Sequence, residues 1–131
     1  MTHIAKELYT YKGVVDKVID GDTATVLLDI GFGIMMKVKY RFYGIDTAEK
    51  DTELGKATKA FVTEKLQGKT VIIKSYKPDK YGRYLGQIYC DGDAKSINEI
   101  LLESGRAKPY YGDSKEGLWT VTETSNGTSQ Q

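Results

Sequence analysis

The sequence predicts a mainly β fold with helices, a small five-stranded OB-like barrel, and three observations carry that expectation. Short segments rich in β-branched and aromatic residues alternate with Gly-containing turns. Most connections between them are too short for the crossovers that parallel βαβ units need. Helical periodicity appears in only two places, once after the third strand and once after the fifth.

YTYKGVVDKVI, residues 9–19, reads as the first strand, and DGDT at 20–23 turns the chain into a second, TATVLLD. Ala24, Val26 and Leu28 share one face of that strand, as a two-residue period requires. After a GFG turn at 31–33, IMMKVKYRF places Ile34, Met36, Val38, Tyr40 and Phe42 on one face and Lys37, Lys39 and Arg41 on the other. This is the pattern of a sheet with one packed and one wet face.

TELGKATKAFVTEKLQG then reads as a helix with Leu54, Ala57, Phe61, Val62 and Leu66 near one stripe, Gly55 weakening its first turn and Gly68 at C′. KTVIIKSY and RYLGQIYC form a hairpin-like pair around PDKYG. Between Lys69 and Cys90 five basic residues face Asp79 alone, a local net of +4 that the whole-chain charge of +1 conceals. Ser96 and Glu99 make a capping box before Ile100, Leu101 and Leu102, and Gly105 ends that short helix. The expected organisation is one barrel domain over residues 1–112 and a lightly packed or disordered tail over 113–131, whose Trp119 docks on the domain.

A single cysteine, Cys90, and a single histidine, His3, exclude Ser-His-Asp and Cys-His mechanisms, HExxH chemistry and Cys/His zinc sites. Carboxylates, arginines, tyrosines and a hard metal ion remain. A hairpin returns to its starting end, so Asp22, just before the second strand, and Asp46, just after the third, come to one edge. Two such carboxylates repel unless a cation lies between them, and a hard divalent ion accepts carboxylate, carbonyl and water oxygens. The ordinary reading, that Asp-Gly and Asp-Thr simply form turns, stands beside this one. Asp20 is the poorer ligand and suits turn amides.

Glu49 can hold a water near such a metal, or it can offset the positive end of the following helix. Arg41 and Arg83 suit phosphate because the guanidinium is planar, charged and bidentate, although each also fits a wet strand surface. In KYGR, Tyr81 can stack on a base beside Arg83, and Tyr110 with Tyr111 supplies a second aromatic pair.

DGDT at 20–23, RFYGIDTAE at 41–49, DKYGRYLGQIY at 79–89 and SINEILLESGRAKPYY at 96–111 together resemble the thermonuclease (staphylococcal nuclease) family over residues 9–111. The resemblance implies the same OB-like barrel and Ca²⁺-dependent cleavage of single-stranded DNA and RNA, less readily of duplex DNA, on the 5′-oxygen side to leave 3′-phosphates. It implies Asp22, Asp46 and the carbonyl of Thr47 as calcium ligands, one ion per site. It also implies Arg41 and Arg83 as phosphate arginines, Glu49 as general base, and Tyr81 and Tyr111 as nucleotide-pocket aromatics. Two departures stand out: Ala48 replaces a common proline, which loosens the loop before Glu49, and GDSKEGLWTVTE stands where a long basic helix would follow.

The competing expectation is a non-catalytic OB-type module that binds nucleic acid or protein. MTHIAKELYTYKG lacks the apolar core of an export signal and no stretch reaches transmembrane length, so the expectation is a phage, plasmid or host intracellular role away from membranes, with secretion left open if a signal was trimmed; a monomer is expected.

Overall fold

A computed structural model describes residues 9–78 and 80–110. The expected tail with Trp119, and the predicted pocket residue Tyr111, lie outside the described residues. Strands β1 (Thr10–Asp20), β2 (Thr23–Asp29), β3 (Met35–Phe42), β5 (Thr70–Tyr76) and β6 (Tyr84–Cys90) close a barrel in the order β1-β2-β3-β6-β5. Helix α1 (Glu53–Leu66) and helix α2 (Ile97–Glu103) complete the predicted layout. The barrel is mixed, because β3 pairs parallel with β6 and every other neighbour is antiparallel.

The interior follows from strand alternation. Val15, Val26, Tyr40, Phe42, Val71, Ile73 and Ile88 are fully buried, and α1 covers the barrel with Val62 and Leu66. Gly86 on β6 makes room for Tyr40, since a Cβ there would stand 2.8 Å from the tyrosine ring. Tyr40 can lie buried because its hydroxyl meets Ser75 Oγ at 3.0 Å.

Three sequence expectations are corrected. Only Val38, Tyr40 and Phe42 of the predicted β3 face are buried; Ile34 and Met36 are about half exposed. The reason is register: β6 reaches β3 only at Tyr40–Phe42, so the first half of β3 pairs with β2 alone and overhangs the barrel. On α1, the buried positions are Gly55, Thr58, Val62 and Leu66, while Leu54 and Ala57 are exposed. Small residues lead this stripe because the start of the helix presses on loop backbone rather than on side chains.

The third correction is an extra pair of short strands, β4 (Ile45–Thr47) and β7 (Ala107–Pro109), which pair antiparallel and join the third strand's exit to the end of α2. Three residues are too few to show a two-residue period. The α2 capping box forms as expected, with Ser96 Oγ accepting from Glu99 N at 3.1 Å and Glu99 Oε1 accepting from Ser96 N at 2.9 Å. Asn98 behind it is buried: its Nδ2 donates to Tyr43 O and Gly86 O, and its Oδ1 accepts from Ile88 N. That side chain bolts α2 to β6 and to the exit of β3. Among the described residues no helix is long and apolar enough to cross a membrane.

Candidate active site

The DGDT turn and the exit of β3 meet at one barrel edge because Thr23 is the register partner of Arg41. Phe42 N donates to Asp22 O at 2.8 Å, which fixes the turn against the strand end. Asp20 takes the turn-forming part expected of it, its Oδ1 accepting from Asp22 N at 3.1 Å. Asp22 is thereby aimed across the edge, and its side chain is almost withdrawn from solvent.

Arg41 organises the site. Its Nη1 lies 2.8 Å from Asp22 Oδ2, and its Nη2 donates to Asp46 Oδ1 at 3.1 Å and to Ile45 O at 3.2 Å. The two carboxylates therefore do come to one edge, and they converge on a guanidinium. Asp22 also accepts from Thr23 Oγ1 at 3.1 Å and from Thr47 N at 3.4 Å, so Thr47 adjoins both.

Burial pushes the Asp22 carboxyl up, but hydrogen bonding with Asp20 and the charge of Arg41 outweigh it and hold the group below the usual carboxylate range. Asp20 moves the other way, raised first by burial and then by Asp22 beside it. Burial works against the Arg41 charge, and Asp22 followed by Asp46 more than offsets it, so the guanidinium stays protonated.

Glu49 projects from the loop after β4 with an exposed side chain. Its carbonyl is held twice by Thr52, which donates from N at 3.0 Å and from Oγ1 at 2.7 Å. The same Thr52 Oγ1 accepts from Gly55 N at 3.0 Å as the N-cap of α1. Gly55 packs on this turn so closely that a Cβ would overlap the Glu49 carbonyl. Restraint of the loop thus comes from Thr52 and Gly55, on the far side of Glu49 from Ala48. In the sequence Gly55 reads only as a helix weakness; the signal for its role is a glycine three residues after a capping threonine.

The remaining predicted residues lie just before β6. Arg83 precedes Leu85, the register partner of Arg41, by two residues. Tyr81 is exposed, with the Arg83 guanidinium 5.2 Å and the Lys80 ammonium 5.4 Å from its ring centre. Tyr110, one residue before the predicted Tyr111, stands with its ring 5.4 Å from the Arg41 guanidinium and is anchored by its N to Gly44 O at 2.8 Å. The PYY pair in the sequence was the available signal for it.

Among the described residues no three His, Cys, Asp or Glu side chains gather in a group able to hold a metal ion. The fit therefore rests on fewer groups: two carboxylates already share one cation, and Thr47 lies beside them. All are hard oxygen donors of the kind Ca²⁺ and Mg²⁺ take, completed by water.

A closed mixed barrel carrying an acid, arginine and tyrosine edge defines a class of small OB-like proteins with a polar site at one rim. The sequence profile described as "Staphylococcal nuclease homologue" matches residues 39–123, more than half of the chain, and the chain belongs to that family. It is 33% identical over 98 residues to an "Uncharacterized endonuclease" of Escherichia coli O157:H7, a match covering 75% of this chain and 60% of the relative. It is 36% identical over 128 residues to "Uncharacterized protein MJ1439" of Methanocaldococcus jannaschii, covering 76% and 59%. Over 74 residues it is 35% identical to "Staphylococcal-like nuclease CAN1" of Arabidopsis thaliana, covering 56% of this chain and 22% of that protein. The chain thus spans about 60% of the length of the Escherichia coli relatives it matches.

Proposed function

We propose that the protein is a metal-dependent nuclease that hydrolyses phosphodiester bonds of single-stranded DNA and RNA, and less readily of duplex DNA. The observation that carries this reading is the convergence of Asp22 and Asp46 on Arg41 at the barrel edge. Family membership supports it.

In this reading Asp22, Asp46 and the Thr47 carbonyl hold one Ca²⁺ ion, which when bound withdraws charge from the phosphate. Arg41 and Arg83 bind the non-bridging phosphate oxygens and stabilise the charge that grows on them as water attacks. Glu49 orients that water and takes its proton. The new P–O bond to water forms as the bond to the 5′-oxygen breaks; the leaving oxygen gains a proton from solvent, and the other product keeps a 3′-phosphate. Tyr81 and Tyr111 flank the nucleotide, with Tyr110 set over Arg41.

A second reading, a non-catalytic nucleic-acid or protein-binding module, is favoured by one feature: both carboxylates are already engaged by Arg41, which offsets half of their charge without a metal. Incubation with single-stranded DNA in Ca²⁺, Mg²⁺ or chelator separates the two. The nuclease yields product that depends on the metal; a binding module yields none at any enzyme concentration.

A further inference from the structure

Beside the acidic edge, between the end of β1 and the exposed face of α1, lies a groove of about 520 Å³ lined by Ile19, Lys50, Asp51, Lys56, Lys59 and Thr63. That volume is in the ~300–1,000 Å³ range of small-molecule sites. Its charge is unbalanced, with three lysines to one aspartate. Lys56 meets Glu53 only at 3.8 Å with both side chains largely in solvent, a pairing of little strength. Lys50 and Lys59 have no carboxylate within ion-pair distance among the described residues.

The walls of the groove adjoin the candidate active site along the chain. Lys50 follows Glu49 directly, and Ile19 precedes Asp20 at the other wall. Helix α1 is seated against the site itself, since Gly21 packs between Thr58 and the side chain of Thr47. The spacing 56, 59, 63 puts the groove residues of α1 on one face. Thr58 lies on the buried face of α1 and the groove lysines on its exposed side, so a strand that runs from Arg41 past Glu49 would reach Lys50 first and the α1 ammonium groups beyond it.

We propose that this groove is a second phosphate subsite, in which Lys50, Lys56 and Lys59 hold a phosphodiester flanking the one at Arg41. Lysine suits such a subsite because it acts as a mobile point charge that accepts any sequence. The proposal rests on the nuclease reading for the identity of the strand. It makes the chain prefer oligonucleotides to mononucleotides without a basic charge overall.

The test measures equilibrium binding of a fluorescein-labelled single-stranded 12-mer in EDTA over a series of salt concentrations. A Lys50→Gln/Lys59→Gln variant is compared with a Lys12→Gln/Lys95→Gln variant, which removes the same charge outside the groove. Both are surface changes, and their thermal midpoints check folding. The groove variant should bind about 5- to 20-fold more weakly and lower the slope of log K against log salt by about 1.4, since each phosphate that a lysine neutralises on a single strand adds ~0.7 to that slope. The control should stay within about twofold. An unchanged groove variant, equal losses in both variants, or no 12-mer binding by the unaltered protein overturns the subsite. Failure to cleave in Ca²⁺ or Mg²⁺ while the groove effect persists would remove the nuclease reading and leave the groove as a strand-binding surface.

Discussion

Arg41 Nη1 lies 2.8 Å from Asp22 Oδ2 where each side chain keeps only 12% of its exposure. A pair so withdrawn from water depends on its geometry, because removing one partner strands the other's charge at a cost of about 3–5 kcal/mol. Its position between the two strand ends makes it both a structural clasp and the centre of the proposed chemistry.

Arg41→Lys keeps the charge but loses the fork that spans Asp22, Asp46 and Ile45 O. The folded protein should survive with a lower thermal midpoint, while cleavage falls by about 100-fold or more, as expected when a donor to the transition-state charge is removed. Calorimetric melting beside steady-state kinetics checks both. Unchanged kcat would take Arg41 out of the proposed mechanism.

Asp20 and Asp22 should respond to acid with opposite signs in chelator. The Asp22 carboxyl is depressed when folded, so its stabilisation is present above its unfolded value near pH ~3.9 and disappears as pH falls through the folded value below that. Asp20 is raised when folded, so its contribution is present at low pH and disappears as pH rises through its folded value. Asp22→Asn should therefore destabilise at neutral pH and progressively less in strong acid. Asp20→Asn, which can still accept from Asp22 N, should be neutral or stabilising at pH 7. Denaturant midpoints measured against pH decide the matter, and the same sign for both variants at pH 7 would contradict the arrangement.

Gly55→Ala offers a test in which two physical effects disagree. Helix propensity favours alanine over glycine by about 1 kcal/mol. Here the added Cβ meets the Glu49 carbonyl, so the loop must shift, an overpacking cost of about 1–3 kcal/mol. The variant should be less stable than the parent and should lose kcat more than KM, because the disturbed turn carries Glu49. A more stable variant of full activity would show that the close approach of Gly55 does not position the loop.

The barrel and the acidic edge were legible in the sequence because both follow from strand periodicity and from a hairpin returning to its start. Arg41, Asp22 and Asp46 fall together from the pairing of Thr23 with Arg41. The register at which the barrel closes was not legible. The overhang of Ile34 and Met36 depends on where β6 stops along β3, and that parallel pairing leaves no local mark. The β4–β7 pair is too short for a pattern, and with it went the placing of Tyr110 over Arg41. Gly55 and Asn98 escaped for a shared reason: each acts through backbone that is distant in sequence or lies outside its own helix, so neither shows in a helical wheel.

The most direct test of the nuclease reading is single-turnover cleavage of a 5′-labelled single-stranded oligonucleotide in Ca²⁺, by the unaltered protein and by Glu49→Gln, with the product ends identified. The expected result is metal-dependent product ending in 3′-phosphate, slowed about 100-fold or more in the variant while oligonucleotide affinity is kept. Absence of product at high enzyme in Ca²⁺ and Mg²⁺, or an equal rate for Glu49→Gln, would contradict it.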